Sequence, residues 1–435
     1  MFMNKKTGFI FFIIIAFLLC LIILFYAFPA NIITKNRARH NPTSHSEQDY
    51  EREEFKEQNN ASGSTLDAAS QEIIPQDLVL AAVGDIMIHS PQIAGAYLES
   101  EDRYDFQENF SYISSYLKKA DFVIGNLETT LAGEEYGGYS GYPLFNSPPE
   151  LAGVLKNSGF DLLITANNHS LDRGSAGIIN TINNIGEAGL NFVGTARSLE
   201  ERKKGYLLTH NGIKAAFFAY TYGTNGLPIP PGEDYLVNLI DEQLISEDIF
   251  RAKNAYRADI IVICMHWGNE YQRVPSDRQR DLAKKLIDLG ANIIIGSHPH
   301  VIQPAEIMET EKGAGLVFYS LGNFISNQRD RYCDTGVIAF IKIQLDPKSN
   351  TFHISLLEIE PTWVHKLRQG GRWRYRILPI REVLSTEQAQ EIFELSPENY
   401  QRMTEALQET EDTLWPSGQN NALDLQIMAE IDCRH

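Results

Sequence analysis

Short apolar runs, each closed by polar residues, recur along the middle of the chain. Leu78–Val83, Asp121–Gly125, Asp161–Thr165, Leu190–Gly194, Asp259–Met265, Ala291–Ile295 and Gly315–Leu321 are rich in Val, Ile, Leu and Ala. Runs of this length, bounded by Gly, Asn or Asp, predict buried strands. Ser111–Lys119, the stretch opened by Pro148-Pro149, Gly174–Ala188, Asp241–Arg257 and Ser276–Leu289 predict helices between them, hence β-α-β units. Gly205–His210 and Ile213–Tyr220 are joined by Asn211-Gly212, a strong hairpin signal. Thr335–Leu345 and Thr351–Glu360 predict an antiparallel pair, and Thr386–Thr410 a polar helix. The pattern is that of an α/β protein with mixed (α+β) sheets. Gly133–Ser147, rich in Gly, Tyr and Pro, predicts a loop over the sheet, either an ordinary surface loop or a substrate lip.

The N-terminus obeys another rule. Gly8–Phe28 is almost unbroken Phe, Ile and Leu without charge, and Lys5 and Lys6 precede it. A helix of about 20 such residues spans a bilayer. Tyr26–Ala30 is a poor cleavage site, so an uncleaved signal anchor is expected over residues 8–30, after a cytoplasmic tail at 1–7. Lys35, Arg37 and Arg39 outnumber Lys5 and Lys6, so flanking charge leaves the topology open between two orientations. The expected placement is a single-pass membrane protein with its C-terminal domain extracytoplasmic. Residues 31–77 are polar and predict a solvated tether. Beyond it a folded domain is expected over 78–361 and a partly helical C-terminal extension over 362–435.

Charge narrows the partners. Asp and Glu number 56 against 38 Lys and Arg, a formal net charge of −18. That excludes nucleic acid as a partner and requires a local positive centre for any anionic substrate. The four cysteines, Cys20, Cys264, Cys333 and Cys433, form no CxxC pair, so neither a zinc ribbon nor a disulfide framework is indicated. Arg368, Arg372, Arg374 and Arg376, interleaved with aromatic residues, read either as a solvated edge or as a track for an anionic polymer.

The predicted strands give way to polar residues. Gly84-Asp85 ends the first, and His89 stands where it either faces the same point or caps a helix. Asn126-Leu-Glu128 ends the second; Ala166-Asn167-Asn168-His169 with Asp172 ends the third, placing a carboxylate within reach of an imidazole. His266-Trp267-Gly268 comes after the fifth, with Glu270 beyond, and Asn323 comes after Gly315–Leu321. Gly296-Ser-His-Pro-His-Val301 comes after Ala291–Ile295. Residues two apart in an extended stretch point the same way, so His298 and His300 are expected to face one point, stiffened by Pro299. Each feature alone also fits a turn or a cap. Together, if the strands run parallel in one sheet, Asp85, Glu128, Asn168, His169, His266, His298 and His300 gather at one edge. That is the inventory for one or two divalent ions (Mn, Zn or Fe), at most about 4 Å apart, with an imidazole to spare.

This ordered set of motifs resembles the capsule synthesis CapA (PGA_cap) family, tied to poly-γ-glutamate capsule production in bacteria. The family is similar to the calcineurin-like metallophosphoesterases, which implies a four-layer αββα sandwich. The resemblance covers roughly Leu78–Pro361. It implies that Asp85 and His300 hold a first cation and Asn168, His266 and His298 a second, with Glu128 where a bridging aspartate would stand. His169 would serve the leaving group, oriented by Asp172; His89, Asn126, Asn167, Trp267, Glu270 and Asn323 would support ligands or substrate. Two departures stand out: Asp85 is followed by Ile86-Met87 rather than Asp-x-His, and the bridge is a Glu. Two functions remain open. One is a membrane-anchored metal-dependent hydrolase or transferase acting on a phosphoester or γ-glutamyl polymer. The other is a non-catalytic scaffold or export subunit of a capsule synthase, bound to other subunits and an anionic polymer.

Overall fold

The computed structural model describes residues 76–415 except 347, 348 and 350. The expected anchor over 8–30, and all but the last two residues of the expected tether, lie outside the described residues. Among the described residues no helix is long and apolar enough to cross a membrane.

Sixteen strands among the described residues form two large sheets and one small ribbon. They are β1 (Asp77–Ile86), β2 (Tyr97–Leu98), β3 (Arg103–Tyr104), β4 (Phe122–Leu127), β5 (Leu162–Ile164), β6 (Asn191–Val193), β7 (Tyr206–His210) and β8 (Ile213–Thr221). Then come β9 (Ile260–His266), β10 (Ile293–Ser297), β11 (Ala305–Glu309), β12 (Ala314–Phe318), β13 (Asn323–Ile325), β14 (Thr335–Asp346), β15 (Thr351–Gln369) and β16 (Arg372–Pro379). The first sheet has the order β16-β15-β14-β1-β4-β5-β6, with β13 also paired to the end of β1. Its β1, β4, β5 and β6 are mutually parallel. The second sheet has the order β11-β12-β10-β9-β8-β7, with β12, β10, β9 and β8 parallel. β7 and β8 are the expected Asn-Gly hairpin, His210 pairing with Ile213.

Alternation along the strands explains why the sheets stack. Successive side chains point to opposite faces, so a strand apolar at every position buries both. Leu78, Leu80 and Ala82 of β1 pack with Ala215, Phe217 and Ala219 of β8, with Val262 and Cys264, and with Ile293 and Ile295, between the sheets. Ala81 and Val83 point outward, onto Phe106, Phe110, Leu151, Leu155 and Ile185 of one helical layer. Phe218, Ile261, Ile263 and Val317 point outward from the second sheet, onto Ile245, Ile249, Leu282 and Leu286 of another. The layers are therefore α, β, β, α, with one apolar core between the sheets and another behind each.

Several expected boundaries move. The strands that carry the candidate ligands do not lie in one sheet but are divided between two. The expected break after residue 361 falls inside β15, which is a single strand to Gln369 and turns through Gly370-Gly371, both at positive φ, into β16. The C-terminal extension thus contributes to two strands of the first sheet. Thr386–Thr410 is not one helix: Gln388 sits at φ +58°, and Ser396 caps a new helix at Pro397, which runs to Leu414. In place of one helix over Ser111–Lys119 there is a single turn, Ser114–Leu117, after Gln107–Phe110. The Asp241–Arg257 helix is α only over Glu242–Arg251 and then widens into a π turn.

Candidate metal centre

The C-terminal ends of the parallel strands of both sheets meet. β1 carries Asp85 at its end; β4 carries Asn126 and leads into Glu128; the Asn167-Asn168-His169 turn comes after β5. From the facing sheet, β9 ends in His266, and His298 and His300 come after β10. All these side chains except His169 touch at least one other of the group, Asn167 Nδ2 donating to Asn126 Oδ1 at 3.4 Å, and every one is at most 4% exposed.

Two close backbone crossings set this geometry. A Cβ on Gly84 would lie 1.9 Å from the carbonyl oxygen of Gly322, to which the Asp85 N–H donates at 2.9 Å. A Cβ on Gly296 would lie 1.9 Å from the carbonyl oxygen of Tyr319. Only glycine lets β1 and β10 approach their neighbours this closely. The His-Pro-His turn is not extended, contrary to expectation. His298 has φ +99° and His300 φ +58°. Left-handed backbone costs about 1–3 kcal/mol at such residues. The two imidazoles converge because the chain turns back at both, not because they alternate along a strand.

Asp85 is held on both oxygens: Asn126 Nδ2 donates to Oδ1 at 2.8 Å, and His300 Nδ1 lies 3.0 Å from Oδ2. His300 Nδ1 is also 3.2 Å from Asn323 Oδ1, so its Nε2 is the nitrogen left facing Glu128 Oε1, 3.7 Å away. His266 Nδ1 lies 2.9 Å from Ser297 Oγ. Its Nε2 lies 2.9 Å from Asn168 Oδ1 and 3.6 Å from Glu128 Oε1. His298 packs beside His266, ring centroids 4.7 Å apart, and beside Tyr222 at 4.5 Å.

The contacts define two donor sets, Asp85/Glu128/His300 and Glu128/His266/His298, each with its ligand atoms within 4.8 Å of one another. Glu128 belongs to both. A third grouping joins His298 and His300 to the exposed Glu270. The buried Glu128 Oε1 and His298 Nδ1 have no hydrogen-bond partner among the described residues. Buried polar atoms are rarely left so, and such orphans call for an explanation. Burial, and then the nearby Asp85 carboxylate, push the Glu128 carboxyl well above the usual range. Burial and then His298 hold His266 well below its ordinary value; burial and then His300 bring His298 down to about 3. Neutral imidazoles, carboxylates and an amide oxygen are the donors that divalent cations of the Mn and Zn kind take. The residues fit such ions.

His169 stands beside this centre. Its Nδ1 is 2.8 Å from Asp172 Oδ2, which also accepts the Phe145 N–H at 2.6 Å. The Phe145 ring packs edge-on against the imidazole, centroids 4.6 Å apart. Asn167 ties the turn down, donating to the Leu127 carbonyl at 2.8 Å and accepting from the His169 N–H at 3.1 Å.

His89 does not complete the first donor set. It precedes the helix Ser90–Ala96 as its cap, and its Nδ1 accepts the Asn327 N–H at 3.3 Å. Burial brings it down to about 4. Trp267 is buried, donating to the Tyr319 carbonyl at 3.0 Å. Asn323 donates to the Cys333 carbonyl at 2.8 Å and so fixes the oxygen beside His300. In the arginine strip, Arg376 pairs with Glu108 and Glu394 at 2.8 and 2.9 Å, Arg372 pairs with Glu99, and Arg374 lies 3.8 Å from Glu108. Arg368, over the Trp373 ring, is the one of the four without a carboxylate partner among the described residues.

Sequence reasoning missed Ser297, Phe145, Tyr222, Tyr271 and Asn225. Asn225 accepts from Asn168 Nδ2 at 3.2 Å, and the Tyr271 ring lies 6.2 Å from that of His300. Ser297 lies inside the Gly-Ser-His-Pro-His motif, where a hydroxyl next to a ligand was a usable signal. The others come from loops whose spacing carries no signal.

Residues 79–328 match the family model "Bacterial capsule synthesis protein PGA_cap". The chain is 33% identical over 260 residues to the capsule biosynthesis protein CapA of Bacillus anthracis, covering 58% of this chain and 61% of that protein. It is 34% identical over 261 residues to the PGA biosynthesis protein CapA of Bacillus subtilis, covering 58% and 64%. The matched region is thus under two thirds of either relative. Among solved structures, the NAD nucleotidase NadN of Haemophilus influenzae aligns at a TM-score of 0.44 and 13% identity, over 77% of this chain and 63% of that one. With the match to the family model spanning more than half its length, the chain belongs to the bacterial capsule synthesis protein family PGA_cap.

Proposed function

We propose that this protein is a membrane-anchored, metal-dependent hydrolase or transferase of capsule synthesis, built on a metallophosphoesterase-like sandwich. Its substrate is a phosphoester or a γ-linked glutamyl polymer. The observation that carries the reading is Glu128: a buried carboxylate shared by two donor sets, with one oxygen that faces two imidazoles but has no hydrogen-bond partner among the described residues. Asp85, Glu128 and His300 would hold one divalent ion, and Glu128, His266, His298 and Asn168 the other. When bound, such ions supply Lewis acidity, polarising the scissile group and lowering the pKa of water.

The chain's own residues do the rest. Asn126 orients Asp85, and Ser297 fixes the His266 ring, as partners of ligands commonly do. Asp172 holds His169 Nδ1, which leaves Nε2 to carry a proton to the departing oxygen or nitrogen. Phe145 shields one side of that imidazole. The test is metal content followed by turnover. The wild type should bind divalent metal and hydrolyse an aryl phosphodiester with Mn²⁺ or Zn²⁺, and His298→Ala should lose both. Equal rates in the two proteins, or bound metal without turnover of phosphodiester or γ-glutamyl substrates, would refute the catalytic reading; the second result would favour a scaffold.

A further inference from the structure

A cavity of about 530 Å³ opens beside the second donor set. That lies in the range of small-molecule sites, about 300–1,000 Å³. One wall is His298, 3% exposed, whose Nδ1 has no partner among the described residues. Tyr222, Ile240, Trp267 and Leu282 give it an apolar lining. Two charged residues also line it. Glu270 is exposed and lies within reach of the same cations as His298 and His300. Arg278 lies in the first turn of the helix Asp277–Leu289.

Arg278 is an exposed guanidinium. Arg202, Arg376 and Arg402 are each held by carboxylates. Arg278, among the described residues, makes neither an ion pair nor a hydrogen bond. A guanidinium offers a planar fork that matches a carboxylate or phosphate with two parallel bonds. Glu270 opposes an anion near the donor sets, so the favourable place for negative charge is beside Arg278.

Resting on the hydrolase reading above, we propose that this cavity seats one arm of the substrate. The arm's apolar or planar portion lies over Tyr222 and Trp267, and it ends in an anionic oxyacid group that Arg278 holds. Arg278 is a positioning residue, remote from the reacting atoms.

Calorimetric titration of the metal-free protein tests this without turnover. The probes are N-acetylglutamate, carrying carboxylates, and phenyl phosphate. At least one should bind saturably. Arg278→Ala should weaken it about tenfold or more, as loss of a charged hydrogen-bonded pair does, and Arg278→Lys should weaken it less. Mn²⁺ binding should be the same in all three proteins. Binding of the carboxylate probe alone assigns a carboxylate-bearing arm, and of the phosphate probe alone a phosphate-bearing one. If neither binds, or if Arg278→Ala binds both as the wild type does, the proposal fails. A protein that binds the probe through Arg278 yet hydrolyses nothing would end the hydrolase reading and leave the cavity assigned.

Discussion

The two donor sets share Glu128 but differ in how they stand without a cation. In the first, Asp85 accepts from Asn126 and is paired with His300, and His300 is held again by Asn323. Apart from the shared Glu128, its polar groups already have partners. In the second, His298 Nδ1 has no hydrogen-bond partner among the described residues, Glu128 Oε1 being common to both sets; His298 at φ +99° is left-handed, as His300 at φ +58° is in the first. An unpartnered buried polar group costs about 1–3 kcal/mol. The second set therefore gains more from a cation than the first, which must rearrange a satisfied pair. One tight and one weak position are the consequence.

The severest way to break the comparison is Glu128→Gln, which removes the shared ligand. Both positions should be lost, with hydrolysis falling to background. Because burial already favours the neutral Glu128 carboxyl, the metal-free variant should melt within a few degrees of wild type. A large loss of stability without metal would instead make Glu128 a structural acid.

Next is His169→Ala, which should lower turnover about 10²–10⁴-fold while metal content stays at the wild-type value. Asp172→Asn should have the smaller effect of the two, and substrates with good leaving groups should be spared most. Loss of metal from His169→Ala would move that residue into the ligand set.

Ser297→Ala and Asn126→Ala sharpen the comparison, since Ser297 holds only His266 of the second set, whereas Asn126 donates to Asp85 and also lies 3.3 Å from Glu128 Oε2 and 3.4 Å from His266 Nδ1. A loss of about 10–100-fold in metal affinity is expected, at the tight position alone for Ser297→Ala and at the weak position as well for Asn126→Ala. Titration calorimetry with Mn²⁺ separates them. The reverse assignment would show that the positions are ranked wrongly.

The smallest effect is on pH dependence without metal. His298 is held at about 3, whereas its ordinary value is 6.5. Between these values the unfolded chain takes up a proton that the folded one does not, so stability is full above about 6.5 and falls as pH drops toward 3. Glu360, raised by burial to about 7, acts in the opposite sense, contributing below its unfolded value and losing that contribution as pH rises through 7. The readout is therefore the difference between wild type and His298→Asn. The variant should lose less melting temperature on going from pH 7 to pH 5, and equal losses would count against burial of a neutral His298.

Much of this centre was legible because polar residues after apolar strands are where parallel sheets open their edges. Asp85, Glu128, Asn168, His266, His298 and His300 carried that signal. Three things did not show. Pairing partners are long-range, so the division of the strands between two sheets was hidden, though Gly84 and Gly296 marked where backbones cross. Left-handed φ at His298 and His300 is imposed by the surrounding packing, against their local preference. The basic stretch after Lys366 read either as a solvated edge or as a polymer track; its strands complete the first sheet with β16 at the edge, and Arg372, Arg374 and Arg376 face carboxylates distant in sequence, which the spacing did not show.

Metal titration of the wild-type protein, followed at both positions by crystallography with anomalous scattering from Mn²⁺, addresses the central claim most directly. The account predicts a cation that fills first among Glu128, His266, His298 and Asn168, and a weaker one among Asp85, Glu128 and His300 at higher concentration. A protein that binds no ion at Glu128, or that fills the Asp85 side first, would contradict it.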